Sequence, residues 1–247
     1  ALNPKGELAP AITIRYNPEA DQNDIYGAPR DISALGPDEL IRAIQDTGIV
    51  GLGGAAFPTH VKMKVPEGKR IDAVVVNGCE CEPYLTTDYR VMMEQSDKII
   101  AGIQIALRVT GAPRAIIAVE NNKPEALDAM MRAVPCGAPI SLQRLATKYP
   151  QGAEKMLSTA LLQREVPSGG LPSDAGMACF NVATLAQLGE LLPQGLRQAE
   201  HLAAIVLQEV ERLSSVRVSL GPTLADLVHQ PGGELRGREG RQRSPGR

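Results

Sequence analysis

Short apolar runs alternate along this chain with longer segments of helical periodicity, and that alternation restricts the fold more than any other feature. The apolar runs at 71–76 and 115–119 have the length and aliphatic content of buried strands, and a third strand is predicted at 140–145. Neighbouring parallel strands must be joined by a long crossover, which is usually a helix. The order therefore predicts an α/β fold, with a mainly parallel sheet and flanking helices.

The segments between these runs carry apolar residues at the three- and four-residue spacing of a helix. A first helix is predicted from Pro37, because proline favours the first helical position, and Gly48 ends it. Further helices are predicted at 88–109, 124–133, 152–162, from Val182 onward, and at 194–213. Beyond them, a short strand at 216–218 and a helix at 222–228 are predicted to form a small C-terminal unit.

Charge is distributed unevenly along the chain. The 247 residues carry 26 basic and 28 acidic side chains, a net charge of −2. Residues 233–247 hold five Arg and two Glu and contribute +3, which leaves −5 for the rest. A mildly acidic body argues against a nucleic-acid partner, and the Gly/Arg-rich tail is predicted to be disordered. No apolar run approaches the roughly 20 residues of a membrane-spanning helix.

A glycine-rich loop follows the first helix and is the first candidate for ligand binding. Gly51, Gly53 and Gly54 allow backbone N–H groups to approach a ligand closely, and such groups bind phosphate. Lys62, eight residues after Gly54, could add a positive charge. The loop lacks the Gly-Lys-Ser/Thr ending of an ATPase loop. A tight structural turn explains the glycines equally well.

An acidic segment follows the predicted strand at 71–76 and is the second candidate. Asn77, Glu80 and Glu82 would lie at the carboxyl edge of a parallel sheet, where ligands bind. Carboxylates and an amide at this edge can bond sugar hydroxyls or ring N–H groups. A solvated turn is the alternative interpretation.

The cysteines and histidines do not form a metal-binding pattern. Cys79 and Cys81 form Cys-x-Cys, and the other two cysteines, Cys136 and Cys179, are distant in sequence. Iron–sulfur clusters use four thiolates at tighter spacings. His60, His201 and His229 show no ligand spacing either. The sequence therefore predicts no metal site.

The two candidate segments together resemble a known family. GLGGAAFPTHVK at 51–62 and NGCECEP at 77–83 are similar to the C subunit of the Rnf ion-translocating electron-transport complex. YPQGAEK at 149–155, VPSGGLP at 166–172 and NVAT at 181–184 extend this likeness. A more distant resemblance is to the FMN- and NADH-binding subunit of complex I. Several motifs in the same order, across about 36–188, make coincidence an insufficient explanation.

The resemblance implies hydride transfer between NAD(H) and FMN, followed by one-electron transfer to iron–sulfur centres. It implies that the FMN phosphate is held by Gly51, Gly53, Gly54 and Lys62. Positions around the flavin are matched by Asn77, Glu80, Gly152, Asn181 and Thr184. Positions on the NADH side are matched by Phe57, Glu82 and Glu154. Val65 stands where the complex I relative has a second aromatic that contacts NADH.

The resemblance also implies a division of the chain. Residues 1–35, which include a predicted strand at 11–16, match the remnant of an N-terminal barrel-like domain and a connector. Residues 36–189 match the FMN/NADH-binding α/β domain, 190–232 part of a ubiquitin-like soluble-ligand-binding unit, and 233–247 the basic tail. The Cys-x-x-Cys runs of the family's iron–sulfur domain have no counterpart in this sequence.

Partners and location follow from the same resemblance. The implied partners are the other Rnf subunits and, indirectly, a ferredoxin-type carrier, at the cytoplasmic face of the bacterial inner membrane. Two alternatives remain open: a flavin- or nucleotide-binding assembly module without turnover, and a flavin-dependent cobalamin reductase with the same central domain.

Overall fold

Four parallel strands form the central sheet of the molecule. The computed structural model describes residues 28–82 and 85–196, together with the backbone of two strands beyond them. The sheet strands are β1 (Ala73–Gly78), β2 (Ala115–Glu120), β3 (Ile140–Leu145) and β4 (Met177–Asn181). Their order is β3-β2-β1-β4, and every neighbouring pair is parallel. This confirms the predicted mainly parallel sheet.

Seven α-helices lie in the described part of the chain. They are α1 (Pro37–Thr47), α2 (Thr59–Met63), α3 (Thr87–Glu94), α4 (Ser96–Thr110), α5 (Pro124–Ala133), α6 (Glu154–Leu162) and α7 (Val182–Gln194). The first helix begins at Pro37 and ends at Gly48, whose φ of 71° is left-handed, as the sequence predicts. None of the described helices has both the length and the apolar character needed to cross a membrane.

The strand β4 was not predicted from the sequence. It is only five residues long and follows a segment rich in glycine and proline, so no periodic pattern marks it. Its first four residues are nevertheless buried. Pairing with β1 places Asn181 beside Asn77 at the carboxyl edge of the sheet.

The helix predicted at 88–109 is two helices rather than one. Gln95, with φ −133° and ψ 30°, separates α3 from α4. Both helices carry buried apolar residues, so the apolar periodicity continues across a break in the backbone. The apolar pattern of the sequence therefore predicts which helix faces are buried, but it does not reveal the break at Gln95.

The prediction of a helix at 194–213 is wrong. The strand β5 (Glu200–Val206) pairs antiparallel with β6 (Leu213–Ser219) through seven residue pairs. A hydrogen-bonding partner thus overrides the weak helical periodicity of 200–206. The strand predicted at 216–218 lies within β6, whereas the predictions at 11–16, 222–228 and 233–247 lie outside the described residues.

The helices α4 and α7 pack against each other at van der Waals distance through two glycines. A Cβ on Gly102 would lie 2.0 Å from the carbonyl oxygen of Leu185. A Cβ on Gly189 would lie 2.1 Å from the carbonyl oxygen of Lys98. The backbones of the two helices are therefore too close for any side chain at these positions. This contact fixes α7 against α4.

Candidate functional site

A cleft of about 740 Å³ opens at the carboxyl edge of the sheet, where β1 and β4 end. This volume falls within the usual range for small-molecule sites. All twelve residues predicted for cofactor and NADH binding line it: Gly51, Gly53, Gly54, Phe57, Lys62, Asn77, Glu80, Glu82, Gly152, Glu154, Asn181 and Thr184. Their common location is a finding, whereas their roles toward a ligand stay predictions.

The glycine loop forms one wall of the cleft. Its base is closed by a bond from the Gly51 N–H to the Phe57 carbonyl, 2.8 Å long. Gly54 has φ +104°, a conformation that residues with a Cβ rarely adopt. Among the described residues, the N–H groups of Gly53 and Gly54 donate to no other group. The loop therefore presents unused donors next to the cleft.

Asn181 and Thr184 fix this loop against α7. The Asn181 side-chain oxygen accepts bonds from the N–H groups of Ala183 and Thr184, which caps α7. The Thr184 hydroxyl accepts a 2.9 Å bond from the N–H of Leu52 in the loop. Asn181 and Thr184, which were predicted to contact the flavin, therefore stabilise the local backbone of the protein.

Asn77 and Gly152 form the opposite wall. The Asn77 amide nitrogen donates to the Gly152 carbonyl at 2.9 Å, and its oxygen accepts from the Cys79 N–H at 3.0 Å. A Cβ on Gly152 would lie 2.3 Å from the Cys79 carbonyl oxygen. Only glycine fits there, because the neighbouring atom belongs to the backbone.

The carboxylate of Glu80 is engaged by the start of α3. It accepts bonds from the Thr87 hydroxyl and from the N–H groups of Asp88 and Tyr89. A carboxylate at a helix N-terminus is favourable because it meets unpaired N–H groups and the positive end of the helix dipole. Glu80 is buried and lines the cleft.

Lys62 and Glu154 form an ion pair within the cleft. The family resemblance had implied that Lys62 contacts the FMN phosphate and that Glu154 lies on the NADH side. The Lys62 ammonium lies 2.5 Å from the Glu154 carboxylate and 5.8 Å from the centre of the Phe180 ring. Of the described residues that line the cleft, Lys62 is the one with a positive side chain. An anionic group entering the cleft would therefore be attracted to this point.

Asp88 is a cleft residue that sequence reasoning missed. Its carboxylate accepts a 2.7 Å bond from the Asn181 amide nitrogen. Burial raises the pKa of Asp88 to about 7, and the negative charge of Glu80 adds to the increase. The sequence shows Asp88 only as a residue at a helix start, so its position beside Asn181 had no sequence signal.

Three further lining residues were also missed or left unassigned. Tyr149 is 76% exposed at the cleft mouth. The aromatic content of the Gly- and Pro-rich segments was the available signal for it. Thr59 is 2% exposed, and its hydroxyl oxygen is buried with no hydrogen-bond partner among the described residues. Phe180 lies at the end of β4, which was itself missed.

Two of the cleft cysteines, Cys79 and Cys179, are buried. Burial raises the pKa of Cys79 and of Cys179 to about 12. Metal ligation requires the thiolate, so this environment disfavours it. Within 28–82 and 85–196, no group of three or more His, Cys, Asp or Glu side chains is arranged to hold a metal ion.

Comparison with known proteins identifies the family to which this chain is similar. The Nuo51 FMN-binding domain family matches residues 44–190. The C subunit of the proton-translocating ferredoxin:NAD(+) oxidoreductase complex of Clostridium ljungdahlii is 41% identical, over 87% of this chain and 48% of that protein. The C subunit of the Na(+)-translocating ferredoxin:NAD(+) oxidoreductase complex of Acetobacterium woodii is 40% identical, over 84% and 46%.

Other relatives are more distant. The C subunit of the ion-translocating oxidoreductase complex of Haemophilus influenzae is 37% identical, over 94% of this chain and 35% of that protein. The chain thus spans about half or less of the length of these relatives. An NAD+-reducing [NiFe]-hydrogenase in the air-oxidized state matches with a TM-score of 0.63 at 23% identity, over 78% of this chain and 38% of that chain. This last likeness concerns the fold alone.

Proposed function

The chain belongs to the family of C subunits of Rnf-type ion-translocating oxidoreductase complexes, and we propose that its cleft binds FMN and admits NAD(H) for hydride exchange. The observation that carries the proposal is the pairing of unused loop N–H groups with a single cationic side chain among the described lining residues. Four carboxylates, those of Glu80, Glu82, Asp88 and Glu154, also line the cleft, and Glu154 is the one among them that pairs with Lys62. A phosphate can therefore bind at Lys62 by displacing Glu154, whereas the other carboxylates repel it.

The residues present fit FMN. The N–H groups of Gly53 and Gly54 and the ammonium of Lys62 would hold the phosphate, as backbone nests and charged donors do elsewhere. The described residues give the cleft enough volume for a ligand of this size. When bound, FMN would supply two-electron exchange with NADH and one-electron exchange with iron–sulfur centres.

The protein's own contribution would be positioning. Phe57 is 49% exposed at the cleft, so its ring is available to stack on a nicotinamide dinucleotide. Glu82 and Glu154 also line the cleft and would accept hydrogen bonds from ribose hydroxyls. Asn77, Asn181 and Thr184 would act by holding the two walls at a fixed separation.

The place of the chain in a larger assembly is part of the proposal. Its relatives are subunits of complexes named for ferredoxin:NAD(+) oxidoreduction or ion translocation. We therefore place the chain at the cytoplasmic face of a bacterial inner membrane, in contact with other subunits of the complex. Electrons would leave the cleft for iron–sulfur centres and a ferredoxin-type carrier.

The test is an absorbance spectrum of the purified chain, mixed with FMN, desalted, and then treated with NADH without oxygen. A retained flavin band that bleaches is the expected result. A chain that elutes colourless contradicts FMN binding. A retained band that does not bleach indicates a binding module without turnover, and faster reduction of cobalamin than of one-electron dyes indicates a cobalamin reductase.

A further inference from the structure

The hydroxyl of Thr59 is a buried polar group with no partner inside the described part of the protein. The residue is 2% exposed, and its oxygen has no hydrogen bond among the described residues. An unpaired hydroxyl in such a position destabilises the fold, because it has lost its bonds to water without replacement. Thr59 nevertheless lines the cleft, so the missing partner can come from a ligand.

The surroundings of Thr59 identify the chemistry of that partner. Lys62 lies three residues further along α2, hence on the same helix face, and lines the same cleft. Thr59 is also tied to the start of the glycine loop, since its N–H bonds the Ile49 carbonyl at 3.0 Å. A hydroxyl, an ammonium and loop N–H groups without a partner among the described residues thus all belong to residues that line this cleft.

We propose that Thr59 completes the phosphate subsite of the cleft by donating its hydroxyl hydrogen bond to a phosphate oxygen of the bound nucleotide. This inference rests on the proposed function and deepens it. The carboxylates of the cleft cannot take this role, because they repel a phosphate. The phosphate supplies the acceptor that Thr59 lacks in the free protein.

The proposal gives Thr59→Val two opposite effects. Valine has the same shape without the hydroxyl, so the free chain should keep or gain thermal stability. FMN affinity should fall at least tenfold, because a hydrogen bond to a charged group is lost. Affinity for riboflavin, which has the same ring and no phosphate, should change less than twofold. Thr59→Ser should restore FMN affinity.

The matched control is Thr159→Val, on an exposed face of α6, where the Thr159 hydroxyl bonds a carbonyl of its own helix. This variant should bind both flavins like the wild type. Titration fluorimetry of the whole chain gives the affinities, and thermal unfolding gives the stabilities. Equal losses for FMN and riboflavin, or no loss for FMN, overturn the role of Thr59.

Failure of the proposed function gives a different result. In that case the wild-type chain binds neither flavin. Inorganic phosphate then tests the subsite alone: stabilisation of the wild type and not of Thr59→Val keeps the inference and rejects FMN. Absence of a Thr59-dependent phosphate effect in a chain that binds no flavin rejects both.

Discussion

Most of the polar side chains that line the cleft are already bonded to the protein. Asn181 caps a helix, Glu80 caps another, and Asn77 joins the end of a strand to a loop. Such residues act on a ligand mainly by fixing the walls that surround it. Lys62 differs, because its partner Glu154 is a partly exposed carboxylate that a ligand can replace.

Lys62→Ala tests that difference. We expect FMN affinity to fall at least tenfold, because a charge-assisted bond to phosphate is lost. Thermal stability should change little, since partly exposed ion pairs contribute about 0–1 kcal/mol. Lys69→Ala is the control, because Lys69 pairs with Asp174 at 2.6 Å outside the cleft. Equal FMN affinity in both variants would contradict a contact between Lys62 and the FMN phosphate.

Asp88 makes the stability of the chain depend on pH. Its pKa is raised to about 7 in the folded protein, from an ordinary value of 3.8. The folded chain therefore binds the proton more tightly, and this contribution is lost as pH rises from about 4 through 7. Each unit of pKa difference corresponds to about 1.4 kcal/mol, so the loss is a few kcal/mol at most.

Asp88→Asn should remove this pH dependence. Asparagine keeps an acceptor for the Asn181 amide and carries no charge at any pH. We expect a higher melting temperature than the wild type at pH 8 and a similar one at pH 4. Thermal unfolding between these values is the measurement. Parallel curves for the two proteins over the whole range would contradict the assignment.

At the level of the elements, the glycine loop depends on backbone conformation and not on crowding. Gly54 has φ +104°, yet an added Cβ would meet nothing within 4 Å. The cost of a side chain is therefore local strain, about 1–3 kcal/mol. Relief of that strain would turn the N–H groups of the loop away from the cleft.

Gly54→Val should therefore abolish FMN binding with only a moderate loss of stability. Gly68→Ala is the control, since Gly68 has φ +74°, equally open surroundings and no part in the cleft lining. It should lose some stability and bind FMN normally. Flavin retention after desalting compares the two. Normal FMN binding by Gly54→Val would make the loop a simple turn.

The sequence predicted those elements whose signal is local. Pro37 and Gly48 mark the ends of a helix through their own backbone preferences, and the strand at 115–119 is marked by aliphatic content. The strand β4 and the pair β5–β6 depend on partners outside their own segments, so no local pattern revealed them. Thr59 and Asp88 were missed for the same reason, because their burial arises only when distant segments meet.

The whole molecule depends on the close contact of α4 with α7. This contact joins the middle of the chain to the helix whose start carries Asn181 and Thr184. Disturbing it should loosen the core and the cleft together. Gly102 is the most restricted point, since an added Cβ would lie 2.0 Å from a backbone carbonyl oxygen that cannot move aside alone.

Gly102→Ala should lower the melting temperature by roughly 6–12 °C, which corresponds to about 3 kcal/mol in a chain of this size. Flavin retention should fall with it. Gln104→Ala, on the exposed side of the same helix, is the control and should leave both unchanged. An unchanged melting temperature in Gly102→Ala would show that the helices separate without cost.

The ion pair of Lys62 and Glu154 has a consequence for ionic strength. An unpaired cation in an empty site attracts small anions, and added salt screens its attraction for a charged ligand. Here the Glu154 carboxylate already neutralises the charge of Lys62. An incoming phosphate therefore replaces a carboxylate of the protein, and few dissolved ions are bound or released. The cleft would then hold its ligand almost equally well in dilute and in concentrated salt.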